Sequence, residues 1–536
     1  MYNSCNRLMN KPPRRPLFLL LSVWLLASLA CNLPVRIIPR PVATLEARQT
    51  LTARLLPTST GTFVVPVDTA APVVGFTPAV GLTAEAAISP VPQTPLQPPV
   101  VLVPDNGEVS YTLQSGDTLP SLAARFAVSP DEIRAAASLP AAGLLPAGGT
   151  VVIPTRVYGT GPGDLLLPDG SVVNGPGAAG FDIEAYIKQA GGYLSRYQQQ
   201  IGTENLTGVE IIRRVSTDTS LNPKLLLALL EYRSGWVFGS PADETAVKHP
   251  IGFNYDTSIG LFPEMILTAR TLTVGYYGWR SGAELGLEFT DGRELRKAPG
   301  LNAGSAALQH LFAAISSRAN WEAALYGELS FPAFYARMFG DPWNGPDGAP
   351  IFPTGLQQPA VELPFLPGKS WSVTAGPHTA WGTGSPYGAL DFAPIGEAVG
   401  CHISPAWATA AAAGVVARSE RGVAVIDLDG DGREQTGWTL LYLHVSDYER
   451  TAAGTTVALD ARIGHPSCEG GKATGTHVHL VRRLNGEWLP VSEAFPFTLS
   501  GWQVVPGANI YQGTLLRGDQ VVTARTDGSR PSLIQR

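Results

Sequence analysis

The spacing of hydrophobic residues changes along the chain, and each spacing predicts a different kind of structure. In residues 108–156, short apolar runs with alternating polar neighbours predict a strand at either end. Between them, Gly116-Asp117 predicts a turn, and two helices should follow, the second beginning with Ser129 as its cap and Pro130 at its first position. The first helix has one apolar face, formed by Leu119, Leu122, Ala123 and Phe126. We therefore expect a small βααβ domain.

Two longer regions follow, and their apolar residues have different periods. Residues 175–355 show helical spacing and predict a mostly α-helical domain, in stretches such as 183–201, 208–216, 223–236 and 303–326. Residues 360–500 contain short apolar alternations separated by Gly, Pro, Asp and Thr, which predicts an all-β antiparallel domain. Residues 501–536 contain strand-like pieces and form a C-terminal tail, to which we assign no function. The chain is thus expected to be multidomain.

Composition restricts the partners and predicts linkers. The 536 residues include 58 Gly and 46 Pro, too many for one compact helical domain. Residues 32–107 are rich in Pro, Thr, Val and Ala and predict an extended linker. The net charge of −6 leaves no domain-sized basic surface, so nucleic acid is excluded as an expected partner.

The first 31 residues predict export from the cytoplasm. Basic residues precede an apolar run over 17–30, which is shorter than an ordinary membrane span and typical of a signal peptide. Ser28-Leu29-Ala30-Cys31 resembles a lipoprotein lipobox, which implies lipidation of Cys31 and a membrane anchor. The small residues Ser28 and Ala30 suit the general signal peptidase equally, and an uncleaved anchor is a third alternative. We expect an extracytoplasmic protein, either a membrane-anchored lipoprotein or a secreted, cell-wall-associated one.

Residues 108–156 resemble a LysM domain over their whole length. The agreement lies in the Gly116-Asp117-Thr118-Leu119 turn, in Phe126 and Ile133, and in the closing strand to Pro154. The resemblance implies binding of N-acetylglucosamine-containing glycans such as peptidoglycan, in a groove beside Gly116, Asp117, Thr118 and Leu119. A LysM domain that folds without binding glycan is the alternative.

One segment of the helical region looks like the part of lysozyme-like transglycosylases that carries their catalytic acid. In that family a Glu directly precedes the Ser, whereas here Arg233 precedes Ser234 and the nearest acid is Glu231. A shift of two helical positions rotates a side chain by about 200°, so Glu231 does not simply substitute. We therefore favour a wall-binding or spacer domain, with glycan cleavage as the alternative.

The candidate chemistry lies in the all-β region, which holds six of the eight His residues. A strand has a period of two, so His477 and His479 should share one face while Val478 and Leu480 point to the core. Further His and Asp residues fall at or near the ends of other predicted strands: His378, Asp391 and His444. Three such ligands and one open position hold a catalytic zinc ion, so one zinc ion per chain is expected.

These segments resemble the lysostaphin and beta-lytic zinc metallopeptidases, which cut peptide bonds in bacterial cell walls. Tyr387 stands where the lysostaphin branch has its first His, while the spacing of 13 positions from His378 to Asp391 is that of the beta-lytic, LasA-like branch. The resemblance implies three zinc ligands: His378, Asp391 and His479. It implies that His444 and His477 are the catalytic pair that does not bind zinc. His402 and His465 are treated as non-ligands.

Two further features of this region have competing interpretations. Cys401 and Cys468 are a candidate disulfide because such bonds persist outside the cytoplasm, with two free thiols as the alternative. The resemblance implies that the bridge lies beside the groove. Three alternating acids resemble the start of a calcium loop: Asp427, Asp429 and Asp431. Trp438 stands where the closing Glu would be, so a tight hairpin turn is the alternative.

The leading hypothesis is a zinc endopeptidase that hydrolyses peptide bonds in peptidoglycan and is held on the wall by LysM. A second hypothesis is an inactive wall-binding scaffold or amidase activator, against which the complete ligand set argues. A third is a glycan-cleaving enzyme that acts through the helical domain, against which Arg233 argues.

Overall fold

A computed structural model describes residues 107–353 and 355–536. The predicted signal peptide, Cys31 and nearly all of the linker lie outside the described residues. Across the described ranges, every helix is too short or too polar to cross a lipid bilayer.

The small N-terminal domain is a three-stranded antiparallel sheet covered by one α-helix. Its elements are β1 (Glu108–Thr112), α1 (Leu119–Phe126), β2 (Arg134–Ala135) and β3 (Thr150–Pro154). Strand β3 lies between β1 and β2. Thr118 begins α1 as its N-cap, accepting a hydrogen bond from the Ser121 amide (3.2 Å). Leu122, Val151 and Ile153 are fully buried in the core.

The predicted second helix of this domain is wrong. The segment after Ser129 is a single 3₁₀ turn, Pro130–Glu132. Ser129 and Glu132 do form the expected capping bonds, with the Ser129 amide donating to the Glu132 carboxylate (2.9 Å). Ile133 is buried and takes an extended conformation, and β2 then pairs with β3. Burial of Ile133 and sheet pairing therefore end the helix after one turn.

The middle domain is mostly helical, with two short hairpins. Its helices are α2 (Ile183–Ala190), α3 (Gly208–Thr219), α4 (Pro223–Ser234), α5 (Glu244–Lys248), α6 (Leu261–Ser281), α7 (Ala303–Ala314), α8 (Arg318–Tyr326) and α9 (Phe331–Phe339). Its strands are β4 (Gln198–Ile201), β5 (Glu204–Thr207), β6 (Gly286–Glu288) and β7 (Glu294–Arg296).

Two predicted helices of this domain extend too far. The helix expected over 183–201 ends at Ala190, because Gly191 takes the left-handed conformation (φ 66°) and the chain continues into the β4–β5 hairpin. The helix expected over 303–326 is interrupted before Ser317, which caps α8. Helix α6 has buried residues on more than one side and therefore lacks the single apolar face of a surface helix.

The C-terminal domain is built on one large antiparallel sheet. Its strands are β8 (Ser370–Thr379), β9 (Tyr387–Pro394), β10 (Ala408–Thr409), β11 (Gly414–Glu420), β12 (Val423–Asp427), β13 (Trp438–Leu443), β14 (Thr456–Val457), β15 (Arg462–Gly464), β16 (Val478–Leu484), β17 (Glu487–Trp488), β18 (Thr498–Leu499), β19 (Trp502–Pro506), β20 (Gly513–Arg517), β21 (Gln520–Thr523) and β22 (Leu533–Gln535). The nine-stranded sheet has the order β14-β11-β12-β13-β16-β9-β8-β22, and β17 pairs with β16.

Residues 501–536 are part of this domain rather than a separate tail. Strands β18 to β21 form a four-stranded sheet, and β22 pairs with the edge strand β8 of the large sheet. Ile534 is buried opposite Trp371. The last strand thus covers an edge that would otherwise expose unpaired backbone groups.

One arginine at the end of α6 joins all three domains. Arg280 donates hydrogen bonds to the Ser115 carbonyl of the small domain, to the Asp169 carboxylate (2.9 Å) and to Glu487 in β17 (3.1 Å). The Tyr276 hydroxyl also donates to Glu487 (2.8 Å), whose side chain is only 3% exposed. Buried charges are stable only when paired, so these contacts couple the domains.

Replacing Arg280 should destabilise the protein strongly. Arg280→Met leaves Glu487 and Asp169 buried without their cation, which should lower the free energy of unfolding by about 3 kcal/mol. Urea unfolding of the full chain measures this change. Arg134→Met is the control, because the ion pair of Arg134 with Glu108 lies at the surface (Arg134 is 59% exposed) and should contribute less than about 1 kcal/mol. Equal losses in the two variants would contradict the assignment.

Candidate metal centre

Sheet register brings the predicted ligands to one place. Strand β16 lies between β9 and β13, and His479 pairs directly with Asp391 on one side and Leu443 on the other. His477 precedes β16 and shares the face of His479, while Val478 and Leu480 are fully buried on the opposite face. His378 lies on the next strand, β8, opposite Ala389.

A distortion in β8 sets the position of His378. The register of β8 against β9 shifts three times between Val373 and Thr379, as in a β-bulge. Gly376 lies in this irregular stretch, and a side chain there would come within 2.5 Å of the backbone of Gln512. The Gly376 amide donates to the Tyr511 carbonyl (2.8 Å). Glycine is therefore required for the C-terminal segment to approach the centre.

Three donor atoms face one another at distances that suit a tetrahedral zinc ion. His378 Nε2 and His479 Nδ1 are 3.0 Å apart, and each is 3.2 Å from Asp391 Oδ1. Zinc binds such atoms at about 2.0–2.1 Å, which places neighbouring ligands of a tetrahedron about 3.3 Å apart. The observed triangle is close to one face of that tetrahedron.

The hydrogen bonds around the cluster support the same assignment. His378 donates from Nδ1 to the Gly376 carbonyl (2.9 Å), and His479 donates from Nε2 to the Ala380 carbonyl (3.0 Å). In the neutral rings, the two nitrogens that face each other therefore carry lone pairs and no proton. A histidine needs this tautomer to bind a metal. Asp391 Oδ1 is buried and accepts no hydrogen bond within the described part of the chain. A bound cation would satisfy it.

The electrostatics of the cluster favour an ionised Asp391 and a neutral His479, whereas the adjacent Asp391 outweighs burial and raises the pKa of His378. Burial raises the pKa of Asp391, but the adjacent His378 and His479 outweigh burial and hold this pKa well below its usual range. Burial lowers the pKa of His479. A carboxylate and a neutral imidazole are the forms that bind metal.

His444 and His477 lie beside the three donors. Their Nδ1 atoms donate to the Glu469 carbonyl (2.8 Å) and the Gly475 carbonyl (2.7 Å), and their ring centroids are 4.6 Å apart. His477 Nε2 is 3.6 Å from Asp391 Oδ2. Burial, followed by the neighbouring His477, lowers the pKa of His444 to about 4. His444 is thus a neutral imidazole near pH 7.

Sequence reasoning missed Tyr511. Its ring lies 5.0 Å from that of His378, it is 48% exposed, and it takes the left-handed conformation (φ 71°), which is unusual for an aromatic residue. The turn that carries it is held against Gly376, far away in the sequence. No local pattern in residues 501–536 indicates this contact.

The two cysteines and the two remaining histidines of the β domain lie around the donor triangle rather than in it. Cys401 and Cys468 form a disulfide (S–S 2.09 Å) and line the same cavity as the candidate metal ligands. His402 and His465 lie outside the cluster, where His402 contacts Glu397 (2.9 Å) and His465 donates to the Ala406 carbonyl (2.8 Å).

The first of the three alternating acids ends β12, and the other two lie in the loop between β12 and β13. Their carboxylate oxygens lie within 4.8 Å of one another: Asp427, Asp429 and Asp431. Asp427 accepts the Gly432 amide (2.8 Å) and Asp431 accepts the Arg433 amide (2.9 Å). These bonds are typical of a polar turn, as in the hairpin alternative. Calcium remains a prediction without further support.

In the small domain, some residues of the predicted glycan-binding turn stabilise the fold and others line a cavity. Asp117 is 2% exposed; it accepts hydrogen bonds from the Tyr111 hydroxyl (2.9 Å) and the Gln114 amide (2.8 Å) and pairs with Arg125. Its side chain therefore stabilises the turn. Leu119 packs against the core, while Gly116 and Thr118 line the cavity of the metal centre.

In the helical domain, Glu231 has a structural role. Its carboxylate accepts the amides of Val237 (2.7 Å) and Phe238 (3.0 Å) just after α4. These contacts stabilise the chain where the helix ends, and they occupy the acid that the transglycosylase alternative would need.

Comparisons with known proteins agree with this geometry. A family model for the LasA N-terminal domain matches residues 165–354, and one for the LysM domain matches residues 111–154. Protease LasA of Pseudomonas aeruginosa is 27% identical over 348 residues, which cover 62% of this chain and 76% of LasA. These matches support a LasA-like metallopeptidase with a LysM domain. The relatives indicate an enzyme, a metallopeptidase, as predicted, and the helical domain matches the LasA N-terminal family.

Other relatives match a shorter part of the chain. Beta-lytic metalloendopeptidase of Achromobacter lyticus is 30% identical over 174 residues, 31% of this chain and 42% of that protein. Among solved structures, the M23 metalloprotease pseudoalterin from the deep sea is 24% identical (TM-score 0.27), and the match covers 31% of this chain and 96% of that one. A zinc-containing peptidase from Vibrio cholerae is 19% identical (TM-score 0.19), with 25% and 39% covered.

Removing either histidine of the donor triangle should abolish metal binding. We expect the full chain to hold about one zinc ion, and the variants His378→Ala and His479→Ala to hold much less after dialysis against a weak chelator. Elemental analysis of the dialysed proteins measures this. His402→Ala is the control, because its ring lies outside the triangle and contacts Glu397 instead. Zinc retained in both ligand variants would exclude this site.

Proposed function

We propose that this LasA-like metallopeptidase uses zinc to hydrolyse peptide bonds in bacterial peptidoglycan, while its LysM domain binds the wall glycan. The observation that carries the proposal is the triangle of donor atoms from His378, Asp391 and His479, beside two further imidazoles in an open cavity. The LysM match and the beta-lytic relative support a cell-wall substrate.

The residues of the centre divide into two roles. A zinc ion held by His378, Asp391 and His479 would supply a Lewis acid and lower the pKa of a bound water. His444 and His477 have their Nδ1 atoms fixed by carbonyl oxygens, so each can exchange a proton only at Nε2. One of them accepts the proton of the attacking water, and the protonated imidazole then donates to the leaving amine. Their hydrogen bonds also stabilise the oxyanion.

An inactive scaffold is the less favoured function. A protein that had lost catalysis would have no need to keep three donor atoms within 3.2 Å of one another in a buried cluster. Nor would it need the lowered pKa of His444, whose left-handed backbone (φ 66°) is the kind of local strain found at functional sites.

Zinc content should distinguish the proposed catalytic residues from the proposed metal ligands. His444→Ala and His477→Ala should lower the turnover of wall peptides by about 10²–10⁴-fold, because each removes a proton-transfer group, and both should keep their zinc. Release of peptides from purified peptidoglycan, followed by mass spectrometry, measures activity and identifies the bond. His402→Ala serves as the control and should remain active. Wild-type protein that holds zinc but releases no peptide would favour the scaffold.

We also propose that the protein acts outside the cytoplasm and is anchored through Cys31, which the sequence pattern over 1–31 supports. Cys31→Ser should move the protein from the membrane fraction to the soluble fraction, because several acyl chains are needed for stable anchoring. Fractionation and labelling with a radioactive fatty acid measure this. Unlabelled wild-type protein in the medium would instead indicate general secretion.

A further inference from the structure

One cavity contains both the metal centre and the sugar-binding side of the LysM domain. It has a volume of about 2090 Å³, and the ligands His378, Asp391 and His479 line it. The first LysM turn contributes Gly116, Thr118 and Pro120 to the same lining, and the loop before β3 contributes residues 141–143. The resemblance to LysM domains implies a sugar groove between these two loops, and both loops open into the cavity of the metal centre.

Helix α6 forms the wall between these two parts. Val274, Tyr277, Gly278 and Ser281 line the cavity, and their spacing of three, four and seven positions places them on one helix face. Val274 packs against Gly384, in the loop after β8 that also contains Ala380, the acceptor of His479. These seven positions span about 10 Å along the helix axis.

The LysM domain is fixed at the far end of this wall. Next to Ser281, Gly282 packs so closely on α1 that a side chain there would come within 2.8 Å of Ala124. Gln114 donates to the Gly300 carbonyl (2.9 Å), and the Phe352 amide donates to the Ser115 hydroxyl (3.0 Å). Together with the Arg280 contact, these bonds fix the orientation of the LysM domain against the helical domain. A flexible tether would leave that orientation free.

We propose that the LysM loops, α6 and the metal centre form one composite substrate groove. The disaccharide lies against Thr118, Pro120 and residues 141–143, and its attached peptide runs along α6 to the metal. An extended peptide spans about 3.5 Å per residue, so four residues cover about 14 Å, more than the stretch of α6 between the two parts. The proposal rests on the proposed peptidase function and adds that the sugar is bound in the catalytic groove itself.

A composite groove and a separate anchor differ in their effect on small soluble substrates. An anchor raises the local concentration of enzyme on a polymer, so it cannot help a substrate that has a single short glycan. A composite groove improves the binding of every peptide that carries its disaccharide. The decisive substrates are therefore disaccharide-peptides released from peptidoglycan by a muramidase, and the same peptides after an amidase has removed the sugars.

The test compares KM for these two substrates with the full, zinc-loaded chain. We expect KM to be about tenfold lower when the disaccharide is present, the effect of one or two neutral hydrogen bonds. Ala142→Leu, which narrows the sugar end of the groove, should raise that KM to the sugar-free value. Ala137→Leu is the matched control, because Ala137 is exposed on the same domain but outside the cavity lining. It should change neither value.

Several outcomes would overturn the proposal. Equal KM values for the two substrates, or equal effects of the two alanine substitutions, would make the LysM domain a separate anchor. A higher KM for the sugar-bearing peptide would show that the LysM domain obstructs the groove. If neither substrate is cleaved, the proposed peptidase function is wrong. Calorimetry can then still test the composite groove, because it measures how tightly the same compounds bind. A composite groove then requires the disaccharide-peptide to bind more tightly than either the disaccharide or the peptide alone.

Discussion

The register of β16 between β9 and β13 fixes the metal centre. A slip of one residue would turn His479 into the core and bring Val478 and Leu480 to the cavity face. Both apolar residues are fully buried, and each contributes about 1.5–3 kcal/mol of hydrophobic free energy that such a slip would lose. The hydrophobic core on one face of the strand thus holds the imidazole of His479 in place on the other.

That arrangement brings together three groups that can bind a cation. Asp391 is a buried carboxylate, and the nitrogens that His378 and His479 turn toward it carry lone pairs. The fold keeps them there through a distorted β8, the close approach at Gly376 and carbonyl oxygens that fix each ring. Local distortion of this kind is expected where function, rather than stability, selects the geometry.

The sequence predicts an element correctly where the secondary structure favoured by the local pattern is also the one that fits its tertiary contacts. The period of two around His477 and His479 places both imidazoles correctly because β16 is a regular strand. The segment after Ser129 has the cap of a helix, but it does not continue as a helix because β2 pairs with β3. The position of Tyr511 depends on contacts across the sequence, and no short pattern records them.

The same distinction applies to the domains. Sequence can identify a LysM domain, a helical domain and a peptidase domain one at a time, because each has its own pattern. It cannot show that Arg280, on the helical domain, pairs with Glu487 of the peptidase and contacts Ser115 of the LysM turn. Since α6 also lines the cavity of the candidate metal centre, the peptidase domain alone would lack one wall of that cavity. If the proposed function holds, substrate choice would therefore depend on two domains that carry none of the candidate catalytic histidines.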